Sequence, residues 1–197
     1  MMTPVVFSLL LVFSVSQIVL AGNYDDGVDA YNRTDYVMAI QKFRQAAETG
    51  DTKAQFNLGL MYEDGNGVPQ DVEVAVRWYH QAAKAGYALA QVNLGLMYEE
   101  GRGVLQDVKA AVYWYRQAAE AGYVLAQYNL GVMYANGQGV PRDYVLAHKC
   151  FSLAATTLTD SEVRNLAIKN RDRVKNRMSP EQLAEAKRFS HDCISNH

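Results

Sequence analysis

The sequence predicts an all-α protein, a right-handed superhelical α-solenoid of about four helical-hairpin repeats followed by two C-terminal capping helices. The first observation behind this prediction is an internal repeat with a period of 36 residues. Shifting the chain by one period aligns residues 51–86 with 87–122 at 24 of 36 positions, and 87–122 with 123–158 at 16. Chance does not produce this agreement, and a fixed period of this size indicates stacked supersecondary units.

The second observation is the spacing of apolar residues inside each unit. They recur at positions i, i+4, i+7 and i+8 in two successive segments, which is one face of an α-helix. In the first complete unit they are Ala54, Leu58, Met61 and Tyr62, then Ala75, Tyr79, Ala82 and Ala83. Small residues such as Gly59 suit close contact between helix backbones, so each unit is a pair of packed helices.

The third observation is a regular link between the two helices of a unit. Gly65 can adopt the left-handed conformation that ends a helix, and Pro69 prevents the helix from continuing. Asp71 can then cap the next helix. The Gly65-x-Gly67 pair follows a helix rather than a strand and has no accompanying lysine, which argues against a phosphate-binding loop.

Both ends of the array depart from the repeat, as the terminal units of a solenoid do. An incomplete copy precedes the three complete ones, and two helices with capping signals at Thr159–Glu162 and Ser179–Gln182 follow them. These helices are expected to cover the apolar face of the last repeat. The predicted segments are a leader at 1–21, a degenerate repeat at 22–50, repeats at 51–86, 87–122 and 123–158, and a helical cap at 159–197.

The repeated motif resembles the Sel-one-like repeat (SLR) family, a slightly longer relative of tetratricopeptide repeats. The pattern is Ala-x-x-x-Leu-Gly-x-x-Tyr, then Gly-x-Gly-Val-x-x-Asp, then Ala-x-x-Trp-Tyr-x-x-Ala-Ala-x-x-Gly. Residues 54–86 and 90–122 meet it almost fully, whereas 126–155 carry Cys150 and Phe151 in place of the aromatic pair. The resemblance implies a helical solenoid that acts as an adaptor, in envelope or secretory quality control, or as an exported bacterial factor that meets host proteins.

The first 21 residues predict export. They carry no charged side chain, contain the apolar run 5–13 and end in Val19-Leu20-Ala21, a sequence that signal peptidase accepts. The alternative is an uncleaved membrane anchor, against which four polar residues in this stretch argue. The predicted location is therefore periplasmic or secreted, with no stable membrane span after cleavage.

Export also permits a disulfide bond, because secretory compartments are oxidising. The chain has two cysteines, so the one possible bridge joins Cys150 to Cys193. The alternative is a buried thiol at Cys150 and a free thiol at Cys193.

Composition and motifs argue against several other functions. A formal net charge of −2 gives no support to nucleic-acid binding. The basic stretch 169–177 has charges all around a helix, so we interpret it as a solvated helix end. The histidines lack metal-ligand spacing, which predicts no metal site and no cofactor. A β-lactam-recognising hydrolase remains an alternative because some cysteine-rich relatives are described so, but no Ser-x-x-Lys, Lys-Thr-Gly or Ser-Asp-Asn motif is present.

The first helices of a solenoid usually line its inner surface, and their positions outside the core are candidates for binding a protein or peptide partner. One set is an asparagine ladder, whose amides suit the backbone of an extended peptide but equally suit neighbouring groups of the solenoid itself. The residue before each asparagine is apolar. The predicted partner-binding residues are Lys53, Phe56, Asn57, Val92, Asn93, Tyr128 and Asn129. The sequence thus predicts a non-enzymatic interaction module, with a structural scaffold as a further alternative.

Overall fold

The structure is a computed structural model that describes residues 23–159 and 161–188, apart from the side chain of Ser161. Every regular element in these ranges is an α-helix, which confirms the predicted all-α class. The helices are α1 (23–32), α2 (Tyr36–Glu48), α3 (Thr52–Asp64), α4 (Val72–Lys84), α5 (Ala88–Glu100), α6 (Val108–Glu120), α7 (Val124–Asn136), α8 (Tyr144–Thr157), α9 (Ser161–Lys175) and α10 (Pro180–Arg188).

The chain divides into two compact units, with the boundary between Ala85 and Gly86. The first unit contains α1 to α4, and its core is built around Phe43, Leu58 and Met61. The second contains α5 to α10, and its core is built around Tyr115 and Phe151. In both units the first and second helices of a repeat pack as hairpins: α3 with α4, α5 with α6, and α7 with α8.

The links fold as their residues predict. Gly101 ends α5 in the left-handed region at φ 70°, and its N–H donates to the carbonyl of Met97. The Asp107 carboxylate then accepts hydrogen bonds from the N–H groups of Lys109 and Ala110 at 3.0 Å. These bonds satisfy backbone groups that a helix end would otherwise leave without partners.

Glycine in the first helix permits an aromatic ring of the second helix to lie against its backbone. A Cβ placed on Gly95 would lie 2.5 Å from Cε1 of Tyr115, far inside van der Waals contact. Tyr115 is fully buried, and its hydroxyl donates a 2.8 Å hydrogen bond to Glu99, one turn after Gly95 on α5. Burial and this hydrogen bond raise the pKa of the Tyr115 hydroxyl above its usual range.

A repeated glutamine joins successive hairpins within each unit. The Gln55 amide donates to the carbonyl of Ala47 at 3.3 Å, and the Gln127 amide donates to that of Ala119 at 3.4 Å. In both cases the carbonyl belongs to the last turn of the preceding second helix. The role of this glutamine was not predicted, although the residue recurs in every complete repeat.

The chain changes direction after α8. Leu158 is extended, at φ −68° and ψ 129°, where the earlier repeats have a glycine-containing turn. α9 and α10 then pack on α8, and Val174 of α9 is buried in the core of the second unit. At the start of α10, Ser179 and Gln182 exchange hydrogen bonds of 3.0 and 3.2 Å, the capping box that the sequence predicts.

Candidate functional site

A cavity of about 280 Å³ opens in the second unit where α7, α8 and α9 meet. We call it the α9 pocket. α7 contributes one wall, the start and the middle of α8 contribute another, and the basic end of α9 with the turn that follows it closes the third. Its lining residues are Tyr128, Val132, Ala135, Asn136, Tyr144, Phe151, Asn170, Arg173, Val174 and Arg177.

Aromatic rings form the inner part of the α9 pocket. The Tyr128 and Phe151 ring centroids lie 5.7 Å apart in a tilted arrangement, a favourable geometry for an aromatic pair. The Asn170 side-chain amide donates a 3.0 Å hydrogen bond to the Tyr128 hydroxyl. Burial raises the pKa of Tyr128, and the hydrogen bond from Asn170 acts in the opposite direction.

Guanidinium groups lie at the rim of the α9 pocket. Arg177 donates a 3.2 Å hydrogen bond to the Tyr144 hydroxyl, and this bond lowers the pKa of that hydroxyl. The Arg177 and Arg142 guanidinium carbons lie 5.9 and 5.8 Å from the centroid of the Tyr144 ring, within cation–π distance. Arg173 is exposed beside them.

The first unit has its own cavity, of about 250 Å³, between α1, α2 and α3. Its walls are mainly apolar, with tyrosine hydroxyls and one amide. The lining residues are Tyr24, Val28, Tyr31, Phe43, Asn57 and Leu60. Lys53 stands close by, with its ammonium 5.9 Å from the centroid of the Tyr24 ring.

The repeats of this chain match a known protein family. The Sel1 repeat model matches residues 52–87, 88–123 and 124–156, which together make up more than half of the chain. The chain belongs to the Sel1 repeat family. Sel1 repeat proteins generally mediate protein–protein interaction and are generally non-catalytic scaffolds.

Solved Sel1-type structures share the fold. The crystal structure of c5321, a protective antigen present in uropathogenic Escherichia coli strains and displaying an SLR fold, matches with a TM-score of 0.76 and 33% identity. That match covers 92% of this chain and 39% of c5321. A Sel1 repeat protein from Oxalobacter formigenes matches with a TM-score of 0.59 and 38% identity, over 69% of this chain and 96% of the other.

The curated relatives share a much shorter segment. The DAP3-binding cell death enhancer 1 proteins of Rattus norvegicus and Mus musculus are each 41% identical over 46 residues. This segment is 23% of the present chain and 9% of either relative. The likeness is therefore one of a short segment and not of whole proteins.

Two residues of the asparagine ladder contact tyrosines of the same chain. The Asn57 amide lies 3.5 Å from the Tyr24 hydroxyl, and Asn129 hydrogen-bonds the hydroxyl of buried Tyr115. Both contacts favour the structural interpretation of the ladder at these positions. Asn93 is half-buried, and its role in partner binding stays a prediction.

The apolar positions before each asparagine differ from one repeat to the next. Phe56 is half-buried, with its ring centroid 5.6 Å from that of Tyr79. Val92 is only 5% exposed and packs in the core of the second unit, so we correct the expectation that its side chain is open to a partner. Tyr128 lines the α9 pocket and Asn57 lines the cavity of the first unit, whereas Lys53 is exposed.

The arginines of the pocket were not among the predicted binding residues, because the basic stretch 169–177 was interpreted as a solvated helix end. The structure places Arg173 and Arg177 of this stretch on the α9 pocket. The apolar residue Val174, within this charged stretch, could have indicated that one side of the helix packs against the protein. It is buried at 3% exposure and fixes which side of α9 faces the hairpin.

The remaining chemical predictions concern cysteine, metals and membranes. Cys150 is fully buried in the core, while Cys193 lies outside the described residues, so the disulfide stays a prediction.

Across 23–159 and 161–188, no group of three histidine, cysteine or acidic residues could hold a metal ion. No helix in this described part is both long and apolar enough to span a bilayer.

Proposed function

We propose that this Sel1 repeat chain is a non-enzymatic interaction module that binds a segment of a partner protein on its first helices. The single observation that carries the proposal is the α9 pocket, since it surrounds Tyr128, a position that the sequence assigns to partner contact. Aromatic rings, side-chain amides and guanidinium groups meet there. This composition is typical of protein-binding surfaces, in which tyrosine and arginine are enriched.

The chemistry of the pocket favours binding over hydrolysis. Among the described residues that line it, none is a carboxylate, histidine, serine or cysteine. Hydrolysis requires a nucleophile or an activated water together with a general base, and those four types are the usual suppliers. The proposed role therefore needs only complementary shape and polarity.

A peptide-display experiment tests the proposal. Random peptides would be selected against the full chain, and the affinity of selected peptides measured by fluorescence polarisation. We expect dissociation constants in the micromolar range, about −8 kcal/mol. The same protein should not turn over the β-lactam nitrocefin.

Matched variants locate the binding surface. Val132→Asp would place a charge in the α9 pocket and Leu60→Asp would do so in the cavity of the first unit. Leu105→Asp is the control, because Leu105 is 93% exposed and lines neither cavity. At least one cavity variant should weaken binding tenfold or more while keeping its helical circular dichroism. Failure to select any peptide, or equal binding by all three variants, would contradict the proposal.

We further propose that residues 1–21 direct export to the periplasm or out of the cell. Their apolar run and the sequence before Gly22 support this. Expression in a Gram-negative host followed by mass spectrometry of the periplasmic fraction should give a chain beginning at Gly22. A cytoplasmic chain that retains Met1 would contradict this proposal.

A further inference from the structure

The third repeat has lost two acidic residues at the end of its first helix. The first two complete repeats carry Glu63-Asp64 and Glu99-Glu100 there, whereas the third carries Ala135-Asn136. In the second repeat, Glu99 accepts the hydrogen bond from Tyr115. Phe151 replaces that tyrosine in the third repeat, so both members of the pair have changed together.

Ala135, Asn136 and Phe151 all line the α9 pocket. The replacements therefore remove carboxylates from the place where this chain forms a cavity. A glutamate at position 135, as in the other two repeats, would have placed a negative charge in the lining of the α9 pocket. The third repeat instead presents a methyl group, a neutral amide and a phenyl ring.

Within the described residues, no acidic side chain pairs with the guanidinium groups at the rim, those of Arg142, Arg173 and Arg177. The two nearest in sequence have other partners. Asp172 pairs with Arg171 at 2.9 Å, and Asp143 accepts hydrogen bonds from two backbone N–H groups at the start of α8. Among the described residues, the rim therefore carries positive charge without an acidic partner.

The volume of the pocket sets the size of what it binds. Small-molecule sites usually occupy about 300 Å³ or more, so about 280 Å³ suits one large side chain better than an extended ligand. Tyr128 and Phe151 offer ring faces and edges to an aromatic or large aliphatic group. A positively charged guest would be disfavoured there, because the charged residues that line the pocket are arginines and buried charges are costly without an opposite partner.

We propose that the α9 pocket binds an acidic segment of a partner protein, in which one aromatic or large aliphatic side chain is flanked by aspartate or glutamate. The apolar side chain enters the cavity and the flanking carboxylates bind the arginines at its rim. Two arginines line the pocket and Arg142 lies beside Tyr144, so this group of cations matches several side-chain carboxylates rather than a single terminal one. This inference rests on the proposed function and specifies its partner.

A matched set of capped, fluorescein-labelled peptides tests the inference on the full chain. The probe has a central phenylalanine flanked on both sides by glutamate and aspartate. One control replaces every acidic residue with its amide, and another replaces phenylalanine with serine. We expect the probe to bind at least tenfold more tightly than either control, and more weakly as salt concentration rises. Equal binding of the probe and its amide control would overturn the inference.

Two protein variants distinguish the pocket from general charge attraction. Arg173→Gln with Arg177→Gln should weaken probe binding at least tenfold. Lys169→Gln with Lys175→Gln removes the same charge from exposed positions outside the pocket and should change binding less than threefold. Ala135→Glu restores the residue of the other repeats and should also abolish tight binding. Equal loss in both arginine and lysine variants would overturn the pocket assignment.

Other ligands are outcomes of the same assay. A peptide that binds only when its C-terminal carboxylate is free, or a single-stranded oligonucleotide that displaces the probe more strongly than the unlabelled peptide, would overturn the inference. The proposed function can survive this result. Displayed peptides without acidic residues that still depend on Val132 or Leu60 would support a protein-binding module whose partner has different chemistry.

Discussion

The hairpins α5–α6 and α7–α8 are two copies of one repeat that differ in their polar contacts. Both first helices have 13 residues and end at a left-handed glycine, and in both a glycine lies against an aromatic ring of the second helix. In α5–α6, a hydrogen bond from Tyr115 to Glu99 joins the two helices. In α7–α8, Phe151 and Ala135 take these places and an open pocket lies beside them.

This difference distinguishes the contact that holds the two helices of a hairpin together from the side chains that form the pocket. The glycine–aromatic contact is common to both copies, so we attribute the hairpin geometry to it. Among the three complete repeats, the tyrosine–glutamate pair is present in the first two and absent from the third, the one on which α9 packs. Four changes, ordered by the size of the expected effect, test this comparison.

The largest effect is expected for Gly95→Val, which disrupts the glycine–aromatic contact that both hairpins share. The valine side chain would overlap the buried ring of Tyr115, and overpacking of this kind costs about 3 kcal/mol. The melting temperature by circular dichroism should fall by about 6 to 12 °C. Glu73→Gln, at an exposed position, should leave it almost unchanged. A valine variant that melts like the wild type would show that the contact does not set the hairpin.

Tyr115→Phe should have the next largest effect, because it makes α5–α6 resemble α7–α8 without a compensating change at Glu99. Loss of the hydrogen bond should cost about 1 to 2 kcal/mol in urea denaturation. Tyr113→Phe is the matched control, since Tyr113 is 55% exposed.

Because the pKa of Tyr115 is raised, its contribution to stability should depend on pH. Above about pH 10 the unfolded chain loses this proton while the folded chain keeps it, so wild-type stability should fall as the pH rises. Tyr115→Phe should remove part of that fall. An identical alkaline dependence in both proteins would contradict the assignment.

The hairpin geometry could be predicted from the sequence because each hairpin uses local spacing and turn residues that recur with a fixed period. Gly101, Asp107 and Ser179 have the capping roles that their positions predict. The α9 pocket could not be predicted in this way, since it depends on how α9 lies against one hairpin. Tyr128 was identified from the repeat, whereas Arg173 and Arg177 required the tertiary structure. Val92 is the opposite case. Its position in the repeat predicts an exposed side chain, but the structure buries it in the core.

Transplanting the pair into α7–α8 should have a smaller effect on stability. Phe151→Tyr alone adds a hydroxyl without the glutamate partner, whereas Phe151→Tyr with Ala135→Glu recreates the pair found in α5–α6. A double-mutant cycle in urea should give a favourable coupling of about 1 kcal/mol. A coupling near zero would mean that the two hairpins differ in backbone geometry and not only in these side chains.

The smallest effect concerns His148, which α8 buries on the side covered by the C-terminal helices. Burial first, and then the positive charges of Arg171, Lys175 and Lys187, lower the pKa of His148, while Asp172 acts in the opposite direction. Ser152 lies 3.4 Å from Nδ1 of the imidazole. The folded protein therefore holds this histidine neutral at a pH where the unfolded chain is protonated.

The sign of the pH dependence follows from this difference. As the pH falls below the unfolded pKa of about 6.5, the unfolded state takes up a proton that the folded state resists, so the folded state loses stability. Urea midpoints should fall between about pH 7.5 and pH 5, and His148→Gln should flatten the change. Lys187→Gln should raise the pKa of His148 in an NMR titration, because it removes one of the opposing charges. An unchanged pKa in that variant would place α10 too far from α8 to act on it, and the packing of the cap on α8 would then need revision.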